Sequence, residues 1–190
     1  MRRNVAIGIL GAGRFANEIA FYAGRLGYKV VHFFDGTVDE AKIVPDLPYC
    51  IGVGSPRVKR LILAQSHCER FVSIFDPEAI YGSDVVIGKG CVICPGVILT
   101  VNIALGDFVT INQNATIGHD CRIGSFSNVA PGANISGNVT IGEGCDIGTN
   151  ASIREKMSLC DDVRLGLNCG VVKNILEPGT YIGTPTRRMK

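Results

Sequence analysis

The sequence predicts a two-part chain, a short α/β unit followed by a solenoid stacked from six-residue repeats. Three observations carry this reading. From Ile87 to Val171 every sixth residue is aliphatic. Glycine accounts for 24 of 190 residues, about one in eight against a usual ~7%, and tryptophan is absent, so many tight turns are needed. The chain also opens on an apolar run, a glycine turn and a helical pattern, in that order.

The first unit begins with Val5 to Leu10, an apolar run that reads as a strand. Gly11-Ala12-Gly13-Arg14 follows, and Phe15, Ile19, Tyr22, Ala23 and Leu26 then recur at helical spacing up to Gly27. Strand, glycine turn and helix present backbone N–H groups and a helix N-terminus to a phosphate. Lys29 to Phe34 reads as a second strand ending in Asp35. That acid falls about 20 residues past the turn, where a carboxylate can accept a hydrogen bond from ribose or base. A third strand over residues 49–53, including Gly52, leads into Gly54-Ser55-Pro56-Arg57 and a helix to about Gln65. A fourth strand is expected over residues 70–75, and Asp76-Pro77 ends the unit. Roughly 75 residues make half of a dinucleotide fold, which suits a mononucleotide or nucleotide-sugar better than NAD. Turn glycines that serve only the backbone are the alternative reading.

The repeat runs Ile87, Ile93, Leu99, Leu105, Ile111 and onward in steps of six to Val171. All fifteen positions are aliphatic, although Ile, Leu and Val make up only about a quarter of the chain. The residue two before each of them is small or apolar, as at Cys91, Val97, Ala115, Cys121, Ala133, Cys145 and Cys169. Four of the eight cysteines therefore fill a small inward slot, where free cysteine behaves as a small hydrophobe. Glycine follows the aliphatic residue at 88, 106, 118, 124, 142, 148 and 166, which predicts corners with unusual backbone angles or close approach.

Composition narrows the function. With 19 Lys+Arg against 17 Asp+Glu the formal charge is +2, so bulk electrostatic binding to nucleic acid and lasting disorder are both disfavoured. No apolar run reaches the ~18 residues of a membrane span. Met1-Arg2-Arg3 and the apolar stretch after it could be read as an export signal. Arg14 and Glu18 interrupt that stretch and no small-residue cleavage pattern follows, so a cytoplasmic protein is expected. Cys91-Val92-Ile93-Cys94 is a C-x-x-C, but no second pair completes a four-ligand metal site.

His119 is the one histidine inside the repeat. It follows Ile117-Gly118, which puts it at a corner, and Asp120 comes directly after it. An imidazole whose tautomer is fixed by a carboxylate is a suitable general base. A solvent-facing histidine without a role is the plainer reading. The hexad pattern resembles the hexapeptide-repeat parallel β-helix, in which three hexads make one coil of eighteen residues; that resemblance puts Gly137 one strand spacing above His119, where its N–H could serve as an oxyanion donor. Asn128 is half a coil from His119, on another face. It could join the same site only across a subunit interface.

Taken together, the blocks Gly11-Ala12-Gly13, Phe34-Asp35, Ile51-Gly52 through Arg57, Ile117-Gly118-His119-Asp120-Cys121-Arg122-Ile123-Gly124, Ala130-Pro131-Gly132-Ala133, Ser136-Gly137-Asn138-Val139 and Gly183-Thr184-Pro185-Thr186-Arg187-Arg188-Met189 resemble the bacterial hexapeptide-repeat enzymes that acetylate sialic acids and nucleotide-linked amino sugars. The resemblance spans nearly the whole chain. It implies a half-Rossmann α/β domain over residues 1–76 that holds a nucleotide-sugar through Gly11, Ala12, Gly13, Arg14, Asp35, Gly52 and Arg57. It implies a left-handed parallel β-helix of about five coils within residues 77–190, assembled as a homotrimer with acetyl-CoA in the grooves between neighbouring helices. In that family the histidine matching His119 deprotonates the acceptor with help from the acid matching Asp120, and the N–H matching Gly137 binds the thioester carbonyl. No metal is needed. A second histidine often stands where this chain has Asn128, which can donate to the acetyl oxygen but cannot share the proton transfer. Arg187 and Arg188 of the basic tail could meet CoA phosphates.

The expected activity is N-acetylation of a nucleotide-linked amino-deoxy sugar, with a UDP-4-amino-4,6-dideoxyhexose for surface glycans placed first and O-acetylation of sialic acid or a related sugar as the alternative. Two other classes were weighed. A zinc carbonic anhydrase on a β-helix needs several histidine ligands at matched coil positions, which one repeat histidine cannot supply. A non-catalytic scaffold would not require His119, Asp120 and Gly137 to coincide.

Overall fold

The computed structural model describes residues 5–34, 44, 46–66 and 68–189. The chain begins with strand β1 (Val5–Leu10), helix α1 (Arg14–Arg25) and strand β2 (Tyr28–Phe34), followed by β3 (Tyr49–Ile51) and α2 (Pro56–Ser66). The three strands form one parallel sheet in the order β2-β1-β3, with β1 at its centre. Helix α1 forms because Ala16, Ile19, Tyr22 and Ala23 line one buried stripe at helical spacing. Asp35 lies outside the described residues.

Residues 70–75 do not form a fourth strand of this sheet. Phe71 makes only a single parallel bridge to Tyr49, and Ile74–Phe75 pairs with Val92–Ile93 as the first rung of the solenoid. The solenoid is a three-faced parallel β-helix built from two-residue strands eighteen residues apart, for example Thr110↔Asn128 and Asn128↔Asp146. Strands at Ile74–Phe75 and Ile80–Tyr81 precede the expected start, giving about six turns in place of five. The aliphatic count misses them because the slots before Ile87 hold Phe75 and Tyr81, whose rings pack edge to face at 4.5 Å.

From Ile93 to Val171 the aliphatic positions are all buried, and so are the cysteines of the small slot. Burial pushes the Cys91 thiol up to about 11 and the Cys94 thiol to about 12, away from the range of reactive thiolates. The corners divide between them the two roles that the sequence left open, unusual angles and close approach. Left-handed backbone recurs at every sixth residue from Gly90 to Asn168, through Asn102, Asn114, Asp120, Asn138 and Asn150 among others. Glycine, Asn and Asp tolerate that conformation best. The glycines that follow the aliphatic residues have no positive φ and serve close approach instead. A Cβ on Gly118 would stand 2.7 Å from the nitrogen of Gly137, and one on Gly124 would stand 2.5 Å from the carbonyl carbon of Gly142.

Among the described residues, polar side chains of the α/β unit fasten it to the solenoid. Arg25 reaches Asp76 at 3.1 Å and Glu78 at 2.6 Å, and Gln113 Nε2 donates to the Tyr22 hydroxyl at 2.6 Å. From α2, Lys59 Nζ donates to the Phe108 carbonyl at 3.0 Å and to Thr110 Oγ1 at 2.7 Å, while Arg60 pairs with Asp162 at 2.6 Å. At the far end Gly179–Ile182 adds a parallel strand to Val163–Leu165 and turns back through Arg187–Arg188, covering that sheet's last edge.

Candidate active site

His119 stands on the corner between the faces carrying Thr116–Ile117 and Arg122–Ile123. Its backbone is held from both neighbouring coils, since Asn138 N donates to the His119 carbonyl at 2.8 Å and Asp120 N donates to the Val101 carbonyl at 3.1 Å. The left-handed φ of 62° at Asp120 turns its carboxylate back toward the preceding ring, and Nδ1 of His119 lies 2.7 Å from Asp120 Oδ2. The bond to His119, and after it one from Asn102 Nδ2 to Oδ1, holds the Asp120 carboxyl below the usual carboxylate range. An ionised Asp120 can only accept, so Nδ1 carries the proton and Nε2 presents its lone pair.

Gly137 lies over this ring. A Cβ added to it would stand 2.5 Å from His119 Nε2 and 2.6 Å from Cε1. At other corners the N–H in the same position is capped by the side chain one coil further on: Lys89 N by Asp107 at 3.0 Å, Asp107 N by Ser125 at 3.1 Å, and Glu143 N by Asp161 at 2.8 Å. Above Gly137 the corresponding residue is Glu155, which turns to Arg154 at 3.3 Å. Among the described residues the Gly137 N–H has no acceptor. A base and an open main-chain donor thus stand side by side on an exposed corner, and together they could deprotonate an acceptor and stabilise an oxyanion.

Asn128 does not join them within the chain. It belongs to the face that carries Thr110 and Asp146, and it sits half-buried between them. Asn112 Nδ2 donates to Asn128 Oδ1 at 3.1 Å, and Asn128 Nδ2 donates to Asp146 Oδ1 at 2.9 Å. Tyr22 of α1 engages Gln113, next to Asn112, and Lys59 of α2 engages Thr110, so this polar column lies on the face to which the α/β unit is fastened.

In that unit Gly11 takes a φ of 127°, and a Cβ there would stand 2.9 Å from the Gly52 carbonyl oxygen. Gly52 is buried between Ile9 and Ala16, where it lets β1, α1 and the loop after β3 close together. Ala12, Gly13 and Arg14 are exposed, and Gly13 caps α1 with no side-chain hydrogen bond, so the first N–H groups of the helix stay open. Arg57 is the second residue of α2 and lines a cavity of about 120 Å³ with Gly144, Asp146, Asp162 and Arg164, none of which belongs to the glycine turn. Arg188 is held by Glu177 at 2.7 Å and by the Pro178 carbonyl at 2.8 Å. With Gly179, Thr180 and Met189 it lines a cavity of about 550 Å³, while Arg187 is exposed.

Sequence reasoning missed Asn102, Asn112, Asp146 and Lys59. Subtracting eighteen from Asp120 finds Asn102, and adding eighteen to Asn128 finds Asp146. Lys59 carries no such signal. Among the described residues no group of three or more His, Cys, Asp or Glu side chains is placed to hold a metal ion, and no helix is long and apolar enough to cross a membrane.

No protein-family model matches the sequence, and no curated protein matches it. Solved structures do. The acetyltransferase domain of PglB from Neisseria gonorrhoeae FA1090 is 28% identical, with a TM-score of 0.90 over 98% of this chain and 100% of that one. The same domain in complex with acetyl coenzyme A gives 28% identity and a TM-score of 0.89 over the same shares. PerB from Caulobacter crescentus, in complex with CoA and GDP-perosamine, shares the fold at 22% identity, with a TM-score of 0.88 over 99% of this chain and 98% of that one.

Proposed function

We propose that this chain, a hexapeptide-repeat sugar acetyltransferase that draws on acetyl-CoA, N-acetylates a nucleotide-linked amino-deoxy sugar. The observation that carries the reading is the pairing at one corner of an imidazole with a free Nε2 and an uncapped Gly137 N–H. The sugar amine attacks the thioester carbonyl carbon and the C–N bond forms. Nε2 of His119 takes the amine proton, and the Gly137 N–H holds the developing oxyanion. Collapse breaks the C–S bond, and the imidazolium returns its proton to the departing CoA thiolate. General-base catalysis typically supplies ~10²–10⁴-fold and one oxyanion donor ~10²–10³-fold. A thioester is already activated, so no metal is required.

The open first turn of α1, with Gly11 to Arg14, offers N–H groups to a diphosphate, and Asp35 accepts from ribose or base. Because Asn128 and His119 occupy different faces, the complete site in this reading needs a neighbouring copy to supply the second face; we place the chain in a homotrimer and in the cytoplasm. Asn128 then donates to the acetyl oxygen, and the basic tail at Arg187 and Arg188 meets CoA phosphates. The PglB domain binds acetyl-CoA on this fold, and PerB holds CoA and GDP-perosamine on it. We place a UDP-4-amino-4,6-dideoxyhexose of surface-glycan synthesis first among the substrates.

The test is release of CoA in the presence of UDP-, GDP-, dTDP- and CMP-linked amino sugars and of free sialic acid. The UDP-linked amine is expected to respond most, and Asp35→Ala to raise its KM far more than that of acetyl-CoA. Turnover of free sialic acid, with none of the conjugates, would replace this reading by O-acetylation.

A further inference from the structure

The geometry points to Asp146 as a positioning residue that fixes which edge of the Asn128 amide faces an acyl group. This goes one step beyond the proposed acetyl transfer and rests on it. An asparagine side chain can present its oxygen or its nitrogen, and the two choices have opposite consequences for an acetyl oxygen, which only accepts. Here the choice is determined from both ends of a column. Below, Asn112 is buried and its Nδ2 donates to the Val129 carbonyl at 2.8 Å, an acceptor with no donor form. The same nitrogen therefore meets Asn128 at 3.1 Å, where only an oxygen can answer it. Above, Asp146 Oδ1 lies 2.9 Å from Asn128 Nδ2, and an ionised carboxylate cannot donate. Its other oxygen faces Arg164 Nε at 3.8 Å, so the carboxylate is steadied on both sides.

Asn128 Nδ2 carries two hydrogens. Asp146 takes one, and among the described residues nothing takes the other. The column thus holds out one N–H, polarised by the carboxylate behind it, on a half-buried residue of the face to which the α/β unit is fastened. Asp146 touches no substrate in this account and acts through Asn128. Without its carboxylate the amide is free to turn and offer oxygen to oxygen.

The experiment compares the affinities of acetyl-CoA and of CoA for the full-length protein by calorimetry, because only the first ligand has the acyl oxygen. Asp146→Ala is expected to lower the preference for acetyl-CoA by about tenfold, the size of one charge-assisted hydrogen bond. Asp146→Val, which repeats the residue the same column carries at Val92, covers the case that the alanine chain fails to fold. Asp146→Asn keeps an acceptor that can turn toward Asn128 and is expected to restore the preference to within about twofold. Asn128→Ala should cost as much as Asp146→Ala, and the double variant no more than either alone. Additive losses, or an unchanged preference in Asp146→Ala and Asp146→Val, would overturn the inference, as would a wild type that binds both ligands equally. CoA release with the nucleotide-linked amines is measured in parallel. A wild type that prefers acetyl-CoA yet transfers to no amine overturns the proposed acceptor and leaves the assignment of Asp146 standing.

Discussion

The α-carbon of Gly137 sits over the imidazole of His119, so close that a single added methyl would meet Nε2 at 2.5 Å. The backbone of Gly137 has no positive φ, so alanine is tolerated locally. Gly137→Ala should therefore leave the unfolding midpoint nearly unchanged while forcing the exposed ring away from Asp120. A loss of about 10²-fold in kcat is expected, of the size seen when one catalytic group is misplaced. Steady-state kinetics beside a denaturant titration separate the two effects, and a variant that loses stability and activity in parallel would contradict this account.

Removing the proposed base should be more severe. His119→Ala is expected to lower kcat by about 10²–10⁴-fold with acetyl-CoA affinity nearly intact. Unchanged turnover would exclude His119 from the chemistry.

Asn102 donates to the same carboxylate that orients His119, and this bond helps hold the Asp120 carboxyl low. The contribution of a depressed carboxyl to stability is present above its unfolded value of about 3.9 and is lost as pH falls through the lower folded value. Asn102→Ala removes one of the two bonds, so the Asp120 midpoint followed by NMR should move to higher pH than in the wild type. A midpoint that stays in place would mean that Asn102 does not support the pair.

Lys59 is fully buried between α2 and the solenoid, and burial brings its amine down to about 7. An unfolded lysine holds its proton to about pH 10.4, so between pH 7 and 10 the unfolded state binds more protons than the folded one. Stability should then rise with pH across that window, at up to roughly 1.4 kcal/mol per pH unit. Lys59→Met removes this term. Denaturant titrations should show the wild type gaining on the variant from pH 7 to pH 10, and parallel pH profiles would refute the assignment.

Lys156 is exposed and holds a left-handed φ of 62° at a corner where Gly, Asn and Asp are the usual occupants. Its backbone N–H donates to the Gly137 carbonyl at 3.0 Å, a bond that any residue there would keep. Lys156→Gly should raise stability by about 1 kcal/mol through relief of the left-handed strain, read as a higher urea midpoint.

The corner of His119 and Gly137 was legible because a periodic backbone converts sequence separation into spatial position. With eighteen residues to a coil, as the resemblance to the hexapeptide-repeat β-helix implies, a count superimposes His119 and Gly137, and the same count reaches Asn102 and Asp146. It fails where the period carries different side chains. Phe75 and Tyr81 occupy aliphatic slots, so the count starts too late: residues 70–75 read as a fourth strand of the α/β sheet and the rung at Ile80–Tyr81 goes unread. The glycines after the aliphatic residues were expected to supply unusual angles or close approach; they supply the close approach, and the angles lie two residues later, at positions where Asn and Asp can stand in for glycine.

The amino-acid order alone determined the solenoid, its inward slots and the residues that share a corner, because each is a local pattern repeated at fixed spacing. Only the tertiary structure decided how the α/β unit is seated. Its contacts join residues 51, 91 and 102 apart, in Lys59 with Thr110, Tyr22 with Gln113 and Arg60 with Asp162. No period links such pairs. They follow from the packing of two helices on one face of the prism, and that packing sets the polar column of Asn112, Asn128 and Asp146 beside the unit expected to hold the sugar nucleotide.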